Sequence, residues 1–79
     1  MTDDNILMPI WTVYARPKDY PDLFVARRFD IVHGELQACP SDDVVTASSL
    51  QELREMLPMG LTRLPRHADD EPQIVEVWI

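Results

Sequence analysis

This chain of 79 residues carries a formal net charge of −7, and its apolar fraction of 46% is ordinary for a folded protein. A chain of this length forms one small domain, and its acidity argues against direct binding to nucleic acid or to an anionic membrane surface, since both attract Lys and Arg. The apolar runs are shorter than a membrane span requires, and the single cysteine excludes a disulfide framework and is typical of a protein of the reducing cytoplasm.

The first predicted element is a strand at residues 10–15, which is rich in β-branched and aromatic residues. Residues 1–8 are predicted to form a flexible lead-in, because their acidic and polar side chains bury little. Residues 9–79 then form the single folded domain. Alternation places Trp11 and Val13 on the same side of the strand, which we take as its core side.

A longer strand is predicted at residues 23–32, after a loop that contains two prolines. Its odd-numbered residues form the better core row: Leu23, Val25, Arg27, Phe29 and Ile31. His33 and Gly34 can supply a two-residue hairpin turn, because glycine accepts a positive φ. Residues 35–39 would return as the third strand, and residues 40–43 have the composition of a turn.

One helix is predicted, and both of its ends are signalled in the sequence. Ser49 followed by Glu52 has the spacing of a capping box, with Ser48 as a competing cap. Pro58 ends the helix, because it lacks the N–H that the helix needs and disfavours helical geometry in the residue before it. Three leucines, at positions 50, 53 and 57, form an apolar stripe that must pack on the sheet.

The last strand is predicted at residues 73–79, after a long connection at residues 59–72. The elements therefore follow the order β-β-β-α-β. We predict an α+β protein with a small, mostly antiparallel sheet of three or four strands and one helix packed on one face. Because the last strand follows a helical crossover, a parallel pairing of that strand stays open.

No motif for catalysis, metal binding or phosphate binding stands out, so we expect no catalytic residues, no metal and no cofactor. His67 and the acidic residues after it lack the further ligands and the spacing of a zinc site, and Cys39 has no visible base to activate it. Arg27 and Arg28 lie near aromatic residues, as in some single-strand nucleic-acid binders. In so acidic a chain, the favoured interpretation is that they pair with carboxylates.

The long connection contains the most plausible binding residues. Arg63, Arg66 and His67 lie there together and can hold an anion or the carboxylate of a partner. One hypothesis is therefore a small-molecule or anion sensor that uses residues 59–72. The alternative is a loop whose basic residues pair with its own acidic residues.

A second candidate site is an apolar interface on the sheet. One helix covers one face, yet the strands carry apolar side chains on both faces, so Trp11, Ile74 and Trp78 are predicted to lie on an uncovered patch. The final strand is also a candidate for an open edge. Homodimerisation through the edge or the face follows as a prediction, and cover of this patch by residues 1–8 is the rival explanation.

The leading functional hypothesis is a small, acidic, non-enzymatic cytoplasmic protein that works by protein–protein contact. Residues 1–40 carry a net charge of −2 and residues 41–79 one of −5, so a basic partner would be steered to the second half. The order of elements and the acidic balance resemble HicB-type antitoxins. That resemblance implies a partial RNase H-like fold and the neutralisation of a basic RNase toxin by the acidic half of the chain.

Overall fold

The computed structural model describes residues 6–64 and 72–79 of the chain. Five strands and one helix occupy these ranges. In chain order they are β1 (Ile6–Ala15), β2 (Phe24–Val32), β3 (Cys39–Ala47), α1 (Leu50–Met56), β4 (Arg63–Leu64) and β5 (Ile74–Trp78).

The five strands form one open sheet in the order β3-β2-β1-β5-β4, and every adjacent pair is antiparallel. The predicted α+β class is confirmed. The sheet has one strand more than the predicted upper limit of four, because the long connection contributes the two-residue strand β4. β5 pairs antiparallel with β1, so the parallel alternative for the last strand is wrong.

The third strand lies later in the sequence than predicted. β3 covers Cys39–Ala47, so the residues predicted as a turn at 40–43 lie within it, and most of the predicted strand at 35–39 belongs to the connection. Because β3 is an edge strand, Pro40 is tolerated there despite its missing N–H. A register shift between Arg27 and Phe29 accommodates the extra residues of β3, where the Ser41 hydroxyl accepts a hydrogen bond from the Asp43 N–H.

The first strand begins earlier than predicted. Residues 6–8, which we assigned to the flexible lead-in, belong to β1 and lie beside the end of β2, where Met8 pairs with Ile31. A register shift follows Ile6, so the pairing is irregular at this end. Residues 1–5 of the predicted lead-in lie outside the described part of the chain.

The helix has the predicted ends. Ser49 has extended backbone geometry, and its hydroxyl accepts a hydrogen bond from the Glu52 N–H at 3.2 Å. The Glu52 carboxylate accepts hydrogen bonds from the hydroxyls of Ser48 and Ser49, so Ser49 is the cap and Ser48 holds the Glu52 side chain. Leu57, before Pro58, is again extended, as its proline neighbour requires.

The core lies between the helix and one face of the sheet. Its buried members are Trp11, Val13, Ala26, Leu53 and Leu57. The prediction that Trp11 and Val13 share the core side is confirmed, since they are 5% and 0% exposed. The prediction for β2 chose the wrong row, because Val13 pairs with Ala26 and therefore brings the even-numbered residues of β2 under the helix.

Candidate functional site: the open face of the sheet

The candidate site is the sheet face opposite the helix, which we call the open face. Strand pairing and alternation define its members. They are Met8, Ile10, Thr12 and Tyr14 of β1, Val25, Arg27, Phe29 and Ile31 of β2, Pro40, Asp42, Val44 and Thr46 of β3, Leu64 of β4, and Ile74 and Val77 of β5. Among residues 6–64 and 72–79, no helix or further strand packs on top of this face.

The open face is mostly apolar and partly exposed to solvent. Val44 is 44% exposed and Leu64 39% exposed, at the two outer strands of the sheet. Ile10 and Phe29, which pair in the middle of the face, are half-buried. An apolar surface of this kind on a small protein usually marks a site of contact with another molecule.

One end of the open face is covered by the loop between β1 and β2. Pro17 in this loop is buried, and Asp19 reaches Arg27 on the face. Val25 is fully buried although it points away from the helix. The exposed part of the open face is therefore the other end, toward Met8 and Ile31.

The loop leaves β1 through a residue with strained backbone geometry. Arg16 has φ of 53°, in the left-handed region that residues other than glycine rarely adopt. Its N–H donates to the carbonyl oxygen of Leu23 at 2.9 Å, and the Tyr20 N–H donates to that of Pro17 at 3.0 Å. These bonds fold the loop back over the sheet, where Asp19 can reach Arg27.

Arg27 is the one basic member of the open face as defined above, and Asp42 at the edge strand is the acidic one. Its guanidinium forms an ion pair with Asp19, and its central carbon lies 5.5 Å from the centre of the Tyr14 ring. The carboxylate of Asp19 offsets the charge of the guanidinium, and Lys18 adds a second basic side chain at this end of the face.

Two open cavities border Arg27. One, of about 410 Å³, is lined by Tyr14, Pro17, Lys18, Arg27 and Gln73. The other, of about 480 Å³, lies on the side of β3 and is lined in part by Phe29, Pro40 and Val44. Asp19, Arg27, Arg28 and Ser41 line this second cavity as well, so polar and apolar groups meet at this edge of the sheet.

The helix side of the sheet also contains an ion pair. Arg54 of the helix binds Glu76 of β5 through two bonds, with Nε donating to Oε2 at 3.1 Å and Nη2 donating to Oε1 at 2.6 Å. The indole N–H of Trp78 also donates to Glu76 Oε2. This buried carboxylate thus has three hydrogen bonds and fixes the helix against β5.

The pKa of Glu76 reflects this environment. Burial alone would raise the pKa of this carboxyl, but the hydrogen bonds from Arg54 and Trp78 and the charges of Arg54 and Arg63 more than offset burial, so its pKa lies below the ordinary value. The hydrogen bond to Glu76 correspondingly raises the pKa of Arg54. Both groups are therefore charged at neutral pH, and the pair is structural.

A second group of charges lies on the same side of the sheet. Arg28 donates from Nη2 to Asp30 at 3.2 Å and also pairs with Asp43 of β3. Its Nε lies 3.0 Å from the other oxygen of Asp30 but is misaligned for a hydrogen bond. The prediction that Arg27 and Arg28 pair with carboxylates is confirmed.

The residues of the predicted anion site are only partly described. Arg63 lies in β4 opposite Trp78 and is exposed on the helix side. Arg66 and His67 lie outside the described residues. The acidic residues 69–71, which form the candidate metal site with His67, lie outside them too. The described part of the chain contains no group of three or more His, Cys, Asp or Glu side chains that could hold a metal ion.

The predicted interface is only partly on the uncovered side. Trp11 and Trp78 lie on the helix side, where Trp11 is buried and Trp78 packs against the core. Ile74 pairs with Tyr14 and belongs to the open face. The cause is a register shift between Val13 and Tyr14, which brings both Val75 and Glu76 to the helix side.

The final strand is not the edge that we predicted. β5 lies between β1 and β4, and backbone hydrogen bonds between Thr62 and Ile79 extend the pairing of β4 with β5. The long exposed edge belongs to β3, which carries Pro40, Asp42 and Asp43. Proline and charged residues are the usual protection of an edge against pairing with another strand. Association through this edge is therefore disfavoured relative to the open face.

Sequence reasoning missed Phe29 and Val44 as members of the site. The signal is present, because the odd-numbered row of β2 is apolar, but the residues alone do not show which side of the sheet the helix covers.

Residues 6–64 and 72–79 contain no helix with the length and apolar character of a membrane span. Comparisons with protein-family models, with curated proteins and with solved structures find no match to this chain.

Proposed function

We propose that this chain is a small acidic cytoplasmic protein without enzymatic activity, and that it acts by binding another protein chain through its open face. The observation that supports this proposal is the unequal cover of the sheet. The helix packs on one face, whereas the other carries apolar side chains that no described helix or strand covers.

The energetics favour a contact surface at this site. Each square ångström of apolar surface removed from water is worth about 25 cal/mol, so exposed Val44 and Leu64 and half-buried Phe29 leave stabilisation unused in the isolated chain. A partner that covers them gains that energy. The half-buried Ile10 and Val77 add apolar surface on the inner strands, and Thr12 and the paired Arg27 lie in the row that joins Val44 to Leu64.

The charges of the described residues support binding rather than catalysis. Arg27, Arg28 and Arg54 each pair with at least one carboxylate, so their charge is committed to the fold. A catalytic site needs polar groups that converge on a substrate. The open face instead offers apolar side chains around a neutralised arginine.

The test is capture of binding partners from a lysate with three forms of the chain as bait. The first is the wild type, the second combines Val44→Glu with Leu64→Glu on the open face, and the third combines Leu36→Glu with Met56→Glu as a matched control. All four positions are exposed, and both double variants add the same charge. Circular dichroism would first show that the three forms are folded.

We expect a protein that is retained by the wild type and by the control and is lost from the open-face variant. Retention by the open-face variant would contradict the proposal, and so would loss from the control alone. The control also tests the second candidate below, because Met56 lies on the exposed side of the helix.

A second candidate function is the neutralisation of a basic protein by the helix side. Glu52 and Glu55 are exposed on the helix, and Asp43 is exposed at the edge of the sheet. These carboxylates attract a basic partner, and that attraction weakens as salt rises. Repeating the capture at low and at moderate salt separates this candidate from the open face, since apolar contact does not weaken with added salt.

A further inference from the structure

We infer that the cavity beside the loop between β1 and β2 is a binding site for a small organic anion, in which a carboxylate or a phosphate group is attached to an apolar ring. This cavity, of about 410 Å³, is the one lined by Tyr14, Pro17, Lys18, Arg27 and Gln73. It lies at the covered end of the open face, away from the exposed end. The inference therefore goes beyond the proposed function and does not depend on it.

Three separate segments of the chain form this cavity. Tyr14 and Arg27 are diagonal neighbours on β1 and β2. Gln73 is held beside the end of β1, because its carbonyl oxygen accepts a hydrogen bond from the Ala15 N–H at 2.7 Å. The loop between the two strands supplies the remaining lining residues. The site thus depends on strand pairing as well as on the loop.

The loop has the backbone geometry that brings a lysine to this cavity. Arg16 has φ of 53°, and its N–H donates to the carbonyl oxygen of Leu23 at 2.9 Å, which closes the loop. The carbonyl oxygen of Pro17 accepts a hydrogen bond within the loop, and Pro17 is buried. Lys18 follows directly, so its backbone is held where its side chain reaches the same cavity as Arg27. Left-handed backbone geometry in residues other than glycine is concentrated at functional sites.

The charge of the cavity is opposite to that of the chain. The chain has a net charge of −7, yet the charged side chains among the described lining residues are Lys18 and Arg27, both basic. Asp19 lines the second cavity, on the β3 side of Arg27. It offsets the charge of Arg27, whereas Lys18 forms no ion pair within the described part of the chain. The site therefore keeps a net positive charge.

Arg27 is held in position without a ligand and still has hydrogen bonds to donate. Its Nη2 pairs with Asp19, and its central carbon lies 5.5 Å from the centre of the Tyr14 ring. A guanidinium has five N–H donors, and the buried Nε of Arg27 donates to no described group. The amide of Gln73 can donate as well. A carboxylate or phosphate group supplies the several acceptor oxygens that these donors need.

The size and the apolar lining of the cavity require more than a bare oxyanion. Sites for small molecules have volumes of about 300–1,000 Å³ and combine apolar walls with a few polar groups. Pro17 and the ring of Tyr14 provide apolar surface in the same cavity as the two cations. An aromatic ring attached to the anionic group can contact both. Because the cavity is open to solvent, we expect a dissociation constant of about 0.1–1 mM.

The geometry favours this cavity over the anion site predicted from the sequence. Arg63 is the residue of that site that the structure describes, and it lies in β4 on the helix side of the sheet. There it is close enough to Glu76 to contribute to the lowered pKa of that carboxyl. Lys18 and Arg27 instead share one cavity. Arg63 is therefore a matched control for Lys18, since both are exposed and carry the same charge.

The experiment is an NMR titration of the isotopically labelled full chain in a buffer without phosphate. The probes are phenyl phosphate and, separately, benzoate, each added to about 5 mM, which exceeds the expected dissociation constant. Benzyl alcohol is the neutral probe with a ring, and inorganic phosphate is the anionic probe without one. The titrations are repeated with Lys18→Gln and with Arg63→Gln, each of which removes one positive charge from an exposed position.

We expect phenyl phosphate or benzoate to shift the signals of Lys18, Arg27 and Gln73 and to approach saturation. The tighter of the two identifies the anionic group. Lys18→Gln should weaken binding at least about threefold, because it removes a charged contact, whereas Arg63→Gln should change it by less than about twofold. Benzyl alcohol and inorganic phosphate should bind at least about fivefold more weakly, because each lacks one of the two recognised features.

Three results would overturn the inference. The first is that neither ring-bearing anion shifts the signals of the cavity. The second is that Lys18→Gln and Arg63→Gln weaken binding equally, which would indicate a general effect of charge. The third is that benzyl alcohol or inorganic phosphate binds as tightly as the ring-bearing anions. Each of these results leaves the capture experiment on the open face unaffected, because its variants lie outside this cavity.

Discussion

The two faces of this sheet are similar in sequence and different in what covers them. Both carry alternating apolar residues, and both contain an arginine paired with a carboxylate: Arg54 with Glu76 on the helix side, and Arg27 with Asp19 on the open face. Among the described residues, the buried cluster in which Leu53 packs with Trp11 and Val13 lies on the helix side, and the open face has Val25 as its fully buried residue. The difference shows that apolar alternation predicts that a face will be covered, but not by which element.

The largest expected effect is at Leu53 on the helix side. Leu53→Ala should lower the free energy of unfolding by about 2–5 kcal/mol, because Leu53 is fully buried and the change leaves a cavity. Urea unfolding measures the loss. Met56→Ala on the exposed side of the same helix is the control, with an expected change within about 0.5 kcal/mol. Equal effects at the two positions would contradict the packing of the helix.

The next effect concerns the Arg54–Glu76 pair. Glu76→Gln should cost about 1–3 kcal/mol at neutral pH, because it removes the charged acceptor of three hydrogen bonds. The folded pKa of Glu76 lies below its ordinary value of 4.5, so its contribution is present above that value and is lost as the pH falls through the folded pKa. The wild type and the variant should therefore converge in acid. A difference that stays constant down to acid pH would show that the charge of Glu76 is not responsible.

A smaller effect is expected at the cap of the helix. Ser49→Ala should cost about 0.5–2 kcal/mol, because it removes the acceptor of the Glu52 N–H. Ser48→Ala removes a hydroxyl that donates to the Glu52 side chain rather than accepting from a helix N–H, so its cost should be lower. Thermal unfolding of the two variants compares them directly. A larger loss from Ser48→Ala would move the cap to that residue.

The smallest effect on stability is expected on the open face. Val44→Ala should change the free energy of unfolding of the monomer by no more than about 0.5 kcal/mol, because Val44 is 44% exposed. Urea unfolding at low protein concentration measures the change. A loss above 2 kcal/mol at low concentration would show that the open face is already covered within one chain.

Much of the local structure was predictable from the sequence. Ser49, Glu52 and Pro58 determine where the helix begins and ends, because capping and the geometry before proline act within a few residues. Alternation within β1 likewise placed Trp11 and Val13 together. These features depend on neighbours in the chain, so the residues alone predict them.

The candidate site was less predictable. The apolar row of β2 was visible in the sequence, but Ala26 rather than Val25 lies under the helix, and the register of β1 with β2 decides this. A register shift in β5 placed Ile74 on the face opposite Glu76 and Trp78, whereas simple alternation predicts that the three share one face. Of the three residues predicted for the interface, Ile74 is the one that lies on the open face.

The sequence by itself determined the classes and order of the main elements, the ends of the helix and the acidic character of the surface. Only the tertiary structure decided that β3 forms the edge, that β5 lies within the sheet, and that Arg54 meets Glu76 across 22 residues. The physical reason is the range of the interactions. Helix caps and alternation act between near neighbours, whereas strand order, register and the choice of the covered face depend on contacts between residues far apart in the chain.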